Sequence, residues 1–290
     1  MIRDRRDSDR AAVIDLVHKR TPQVDEHRVA SLLDATDRTV YVDLVADRDS
    51  TVVAWGSTFA RAGMTGMLFG RVVVSAEEEG RGLGSQLHAR MRRDPPNQIH
   101  RLRGIVFDTD QRALDVVEHW GYQRYELCHV SRLDLADATS PTVVPDVAIE
   151  ACPDLRFADD DAVLAMLDRA ETNPERAHGL FVTPTMMRSL ATGGTPVGLV
   201  ARVAGAPIGL IHGSVSGDRM LITYLCVDPP FRGRGIALTL KKRLHDEGRR
   251  LGATHVITGN EHANHAVRSL NTRLGYRRLH GEVRVQTTIT

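Results

Sequence analysis

Apolar residues along this chain fall into two rhythms, one helical and one alternating, and the same succession of them is written twice. In the first half Ile2 opens a short strand, and Asp9 then caps a helix carried by Ala12, Val13, Leu16 and Val17. Strand-like runs at 39–45 and 51–59 are joined by the polar turn 47–50 as a hairpin. A further run at 67–74 leads into a glycine-rich loop and a helix over 83–92, which Pro95-Pro96 stops. A buried strand at 103–108 and a helix at 112–119, closed by Gly121, follow. The second half predicts a strand at 147–150, a helix at 159–169 and strands at 197–203 and 207–215 meeting at Gly205. A strand at 221–227, a second glycine loop, a helix to about residue 251, a strand at 254–258 and a helix at 263–273 complete it. That order predicts an α/β chain of mixed α+β layers in each half.

The repeat is explicit in the residues. Gly80-Arg81-Gly82-Leu83-Gly84 returns as Gly233-Arg234-Gly235-Ile236-Ala237, and Trp120-Gly121-Tyr122 returns as Leu274-Gly275-Tyr276. The intervals are 153 residues for the loops and 154 for the closing glycines, so two separate signals share one offset and imply a duplicated domain. Between 137 and 146 the composition turns to Ala, Thr, Ser and Pro, including Pro141 and Pro145, which reads as a linker between domains over 1–136 and 147–290. The irregular segment Thr172 to Ser189 follows the first helix of the second half and is a candidate substrate lid.

Composition narrows the classes. A length of 290 residues suits two domains, and 42% hydrophobic with 26% charged residues is ordinary for a globular chain. A formal net charge of +1 gives no general attraction for nucleic acid or anionic lipid, so anion binding has to come from a local site. Cys128, Cys152 and Cys226 have no metal-ligand spacing and an odd count, which fits a reducing compartment and predicts no metal. The charged amino terminus has no apolar run behind it, and no stretch approaches the ~18 apolar residues of a membrane span. These features predict a cytoplasmic protein without nucleic-acid or membrane partners. A tandem repeat can complete a pseudo-dimer within one chain, so both a monomer and a homodimer fit.

Each glycine loop lies after a buried strand and before a helix, so its backbone N–H groups and the helix amino terminus converge on one spot, as phosphate binding requires. Alternate glycines let that backbone approach a pyrophosphate without Cβ atoms in the way. Neither loop has the Gly-Lys-Ser/Thr ending of a nucleotide-hydrolysing loop or the dinucleotide fingerprint.

Arg232-Gly233-Arg234-Gly235-Ile236-Ala237, preceded by Val227-Asp228-Pro229-Pro230, resembles the pyrophosphate-binding signature of the GNAT (Gcn5-related) N-acetyltransferases. The run Thr258-Gly259-Asn260, then Asn264, then Asn271 to Tyr276, is similar to that family's second motif, and both motifs are placed alike in the two halves. The resemblance implies two tandem GNAT-like domains, each a mixed, mostly antiparallel sheet flanked by helices and splayed between its fourth and fifth strands. It also implies acetyl-CoA as acyl donor, with its pyrophosphate on the loop, its thioester near Leu225, Cys226 and Val227, its pantetheine arm near Asn260 and Asn264, and direct attack by a primary amine of a small molecule.

The halves differ at the positions that matter. The first has Glu79 where the family prefers Gln or Arg, Asp110 where the second motif starts with Asn, and Val117 where a Tyr often protonates the thiolate. That predicts weak or lost CoA binding in the first domain. The second half keeps Arg232 and Asn264 but has Asn271 at the Tyr position, and Asn is no general acid. His212, on the preceding strand, is a candidate base and Tyr224 a candidate substrate anchor, against the plainer reading that both are packed in the sheet. Cys226 reads as a buried apolar residue. These departures keep a second reading open, that of an acyl-CoA-sensing or interaction module of the same fold.

Overall fold

The computed structural model describes residues 1–24, 29–30, 33, 38–61, 65–93, 95–152, 156–170 and 194–289. The expected lid 172–189 lies outside them. The chain divides into two compact units, Met1–Tyr125 with Val283–Thr290, and Glu126–Glu282.

The first unit runs β1 (Ile2–Asp4), α1 (Arg10–Arg20), β2 (Arg38–Arg48), β3 (Thr51–Arg61), β4 (Met67–Val74), α2 (Leu83–Met91), β5 (Arg101–Phe107) and α3 (Gln111–His119). Strands β1 to β4 pair antiparallel in sequence order, as hairpin connections require. β4 and β5 are parallel, joined by the α2 crossover, and pair only over Met67–Phe69 with Arg101–Arg103. Beyond Phe69 the two strands separate. Helix α1 covers one face with Val13, Leu16 and Val17 against Val45, Trp55 and Val73, and α2 covers the other with Leu87 against Leu44, Ala46 and Ala54. Side chains thus alternate between two buried faces along β2 to β4, which is why these strands are near-continuous apolar runs.

The second unit repeats the plan. It contains β7 (Ala148–Ala151), α4 (Asp161–Ala170), β8 (Thr195–Val203), β9 (Ala206–Ser216), β10 (Arg219–Val227), α5 (Ile236–Arg250), β11 (His255–Glu261) and α6 (His265–Arg273). Strands β7 to β10 are antiparallel neighbours, and β10 and β11 are parallel over Arg219–Ile222 with His255–Thr258. Helix α5 buries Ile236, Leu240 and Leu244 against Leu199, Ile208, Met220 and Val227, while α4 buries Val163, Met166 and Leu167 on the opposite face against Val200, Leu210 and Cys226.

Two long strands give the units their limits. β6 (Gln123–Asp134) closes the first half in sequence, yet Cys128–Asp134 of it pairs antiparallel with β11 of the second unit. β12 (Arg277–Thr288) is the neighbour of β6 and of β5, and its residues from Val283 onward belong to the first unit. The units therefore divide at 125–126 and 282–283, not within the Pro-bearing segment 137–146 expected to be the boundary. Chain composition marks where backbone is unpaired, whereas compactness follows the strand pairing of β6 and β12.

Candidate functional site

In the second unit the site begins where the sheet comes apart. β10 and β11 are last paired at Ile222 and Thr258, and at the same point the ladder between β10 and β9 shifts register, Ile222 facing Gly213 but Tyr224 facing His212. Thr223 thus has no register partner on either side, the signature of a bulge. The bulge reverses the alternation of side chains. Met220 and Ile222 face the α5 core, and after it Leu225 and Val227 do so, while Tyr224 and Cys226 turn to the α4 core. Asp228 N donates to Ile208 O, so by antiparallel alternation the N–H groups of Leu225 and Val227 point away from β9, into the gap left by β11.

At the end of β10 the chain makes one turn at Pro229–Phe231 and enters the glycine loop. Gly233 and Gly235 both have left-handed backbones, φ +77° and +81°, and no heavy atom lies within 4 Å of a Cβ built on either. Gly235 caps α5 without a side chain, leaving the first N–H groups of that helix to a ligand. The two arginines are engaged within the chain. Arg232 donates to Val227 O and Ala170 O, both at 3.0 Å, and Arg234 lies 5.2 Å over the Phe231 ring. Ile236 is core, and Ala237 follows it at the start of the helix.

The candidate catalytic residues fall on two faces. His212 is fully buried on the α4 face, edge-on to Phe157, and burial lowers its pKa to about 4. Thr223 donates its hydroxyl to His212 O at 3.3 Å and receives Nδ1–H of the same His212 at 2.8 Å, which leaves the Nε2 lone pair without a partner among the described residues. Tyr224 packs beside Cys226, whose thiol burial pushes up to about 12 and whose Sγ lies 3.8 Å from Met166 Sδ. Cys226 is therefore a packing residue and no nucleophile.

On the α5 and α6 side, Asn264 caps α6 by accepting from Val267 N at 3.3 Å, and Asn271 is buried seven residues further on. The structure brings Asn271 and Asn260 together, Asn271 Nδ2 donating to Asn260 Oδ1 at 2.7 Å. Behind them lies a group that the sequence reading did not single out, Lys241 of α5, which donates to Asn271 Oδ1 at 2.6 Å. His245 and Tyr276 are bonded at 2.7 Å next to it. Lys241 stands in a Lys-Lys-Arg run that reads as solvated charge, and the signal that places it inside is its phase, with His245 and Gly248 one and two turns on. A cavity of about 330 Å³ beside this group is lined by Asn260 and Asn271 together with His129, Ser131, Arg268 and Arg278. It lies under α6 and not at the glycine loop.

The first unit has the same loop in a different setting. Gly80 and Gly82 repeat the left-handed backbone, φ +76° and +81°. Glu79 lies where the second unit has Arg232, and it is ion-paired with Arg20 and with Arg112 of α3, the latter at 2.6 Å. Trp120 packs 3.6 Å from a Cβ built on Gly84 and donates to Ser85 Oγ at 3.3 Å. Asp110 caps α3 through Ala113 N at 2.9 Å, as Asn264 caps α6. His88 of α2, at the place of Lys241, stacks on Trp120 at 4.2 Å and bonds Tyr122 at 3.2 Å.

The fold is shared with known proteins. The model of the acetyltransferase (GNAT) family matches residues 162–276. A GCN5-related N-acetyltransferase from Sphaerobacter thermophilus is 20% identical with a TM-score of 0.75, over 99% of this chain and 95% of that one. A tandem GNAT protein from the clavulanic acid biosynthesis pathway is 17% identical with a TM-score of 0.75, over 97% and 95%. A GCN5-related glucosamine N-acetyltransferase region of a fungal multi-domain β-N-acetylglucosaminidase matches with a TM-score of 0.74 at 15% identity, over 99% of this chain and 38% of that one. No helix among the described residues is long and apolar enough to cross a membrane.

Proposed function

We propose that this chain, a member of the GNAT superfamily with the tandem two-domain fold, is an acyl-CoA-dependent N-acyltransferase that moves acetyl from acetyl-CoA to a primary amine of a small molecule in its second unit. The observation that carries the reading is the open glycine loop at Gly233 and Gly235, at the end of the strand that leaves its neighbour at Ile222. Loop N–H groups and the α5 amino terminus would hold the pyrophosphate. The N–H groups of Leu225 and Val227, turned into the gap, would hold the arm and polarise the thioester carbonyl.

Amine attack on the acyl carbon makes the nitrogen positively charged and its protons acidic, so a weak acceptor suffices once the bond has formed. His212 Nε2, oriented by Thr223, is such an acceptor, directly or through water, even with a pKa of about 4. The thiolate, with an ordinary pKa near ~8.5, departs without obligatory protonation.

Calorimetric titration with acetyl-CoA tests this. One site per chain, followed by thiol release with an amine panel, is the expected result, and absence of binding would overturn it. The second reading, a sensor of acyl-CoA, is favoured by the low basicity of His212 and by Asn at position 271. Steady-state thiol release with any amine eliminates it.

A further inference from the structure

Lys241 is the least explained charge in the second unit. It is 1% exposed, no carboxylate pairs with it among the described residues, and burial draws its pKa down to about 7. Its contacts are Asn271 Oδ1 at 2.6 Å and the face of the Tyr276 ring at 4.7 Å. An unpaired buried ammonium opposes folding, so its place calls for a reason beyond packing.

The direction of the hydrogen bonds supplies one. In its ammonium form Lys241 has donors only, so Asn271 then turns its Oδ1 to Lys241 and its Nδ2 to Asn260. Asn260 must then accept with Oδ1, and both N–H groups of its amide are left for a ligand. Were Lys241 absent, both amides could flip and Asn260 could present oxygen instead. Asn260 lies two residues past Thr258, the last residue of β11 paired with β10, so it stands on the wall of the gap.

We propose that Lys241 is a positioning residue which, through Asn271, holds Asn260 with its amide N–H groups toward the sulfur that leaves the acyl donor. The inference rests on the acyl-transfer reading above. In the step it serves, the amine nitrogen bonds to the acyl carbon and the carbon–sulfur bond breaks with its electron pair on sulfur. Asn260 donates to that thiolate, the amine proton goes to His212 or water, and the thiolate later takes a proton from water. No proton travels along the amides. The charge behind the chain strengthens each bond in it, and a donor aimed at the developing anion accelerates its formation.

The test is the acidity of bound coenzyme A. Its thiolate absorbs in the ultraviolet, so the thiol can be titrated on the protein as purified and on the Lys241→Met and Asn260→Ala variants. The thiol of bound coenzyme A is expected to titrate roughly one unit or more below the free value, with each variant returning it toward the free value and lowering kcat on the order of tenfold. Arg268, Arg278 and His265 beside Asn260, and His245 beside Lys241, also bear on the thiolate, so the difference between native protein and variants is the quantity read. Asn260→Ala touches no buried charge and stands in if Lys241→Met fails to fold. Coenzyme A that binds with an unshifted thiol, or with a shift that Lys241→Met keeps, would overturn the role of Lys241 and leave the acyltransferase reading intact. No binding of coenzyme A to native protein would overturn both.

Discussion

The two units share a backbone and differ in what they place on it. Both glycine loops have paired left-handed residues, both are followed by a helix, and both precede a second helix capped by an Asx side chain. In the first unit the carboxylate of Glu79 and the cations of Arg20 and Arg112 satisfy one another at the mouth of the loop, and Trp120 fills the approach to its helix. In the second unit those places hold Arg232, which turns back onto carbonyls, and Leu274, which joins the core, so the loop stays open. The bulge between β9 and β10 has no counterpart between β3 and β4 of the first unit, whose ladder is unbroken over Ala54–Phe59. The duplicated fold keeps the left-handed glycine backbone in both units; side chains decide whether that backbone is open or meets its own neighbours.

The comparison breaks most visibly if the loops are exchanged in quality. Gly235→Glu should lower acyl-CoA binding and turnover on the order of 100-fold or more, because a carboxylate then occupies the anion site at a helix amino terminus. The side chain meets no atom, so folding loses only the left-handed cost of about 1–2 kcal/mol. Gly82→Glu should leave both quantities within roughly twofold, since the first unit already carries Glu79 there. Titration calorimetry and thiol release read both variants, and equal losses would end the asymmetry. A smaller effect runs the other way. Glu79→Gln with Trp120→Leu removes the carboxylate and the indole together, and the stoichiometry of acetyl-CoA should rise above one per chain.

The glycine loops were legible because alternating glycines after a buried strand have few other uses, and the strand runs were legible as near-continuous apolar, β-branched stretches because helices cover both faces of the sheet in each unit. The buried network was not. Lys241 follows Leu240 and precedes Lys242 and Arg243, and only its helical phase and its match with His88 in the first half point inward. Asn271 was legible as a departure from a family pattern, but its bond to Lys241 joins residues 30 apart in sequence and no local rule predicts it. The bulge at Thr223 was invisible for a related reason. Leu221 to Val227 is apolar apart from the hydroxyls of Thr223 and Tyr224, so a one-residue shift leaves the pattern nearly unchanged. The exchange of β6 and β12 was hidden because strand partners are set by long-range pairing, while the Pro residues at 141 and 145 mark only a break in the backbone ladder.

Removing the caps separates scaffold from site at lower amplitude. Asp110→Ala and Asn264→Ala should each cost about 1 kcal/mol, a few degrees in thermal unfolding. Only Asn264→Ala should also weaken acetyl-CoA binding, since the proposed donor site lies in the second unit. Equal effects on binding would make both caps purely structural.

Acid reads the smallest difference. Burial lowers the pKa of His88 in the first unit to about 4, and of His212 and His245 in the second to about 4 and about 3. Each imidazole is neutral in the folded state over a range where the unfolded chain, with a pKa near ~6.5, takes up a proton. Unfolding then binds protons, so stability rises with pH in that window and is lost as pH falls from about 6.5 toward 4. His255 of the second unit is lowered by burial as well, so three such groups against one should make the second unit the more acid-sensitive. Both tryptophans, Trp55 and Trp120, lie in the first unit. Their fluorescence therefore reports that unit alone, while far-ultraviolet circular dichroism reports both. On acidification the dichroism change should begin at higher pH than the fluorescence change, and His245→Phe should draw the two curves together. Coincident curves in the native protein would show that one cooperative transition, and not the separate histidine content of the units, governs the acid limit.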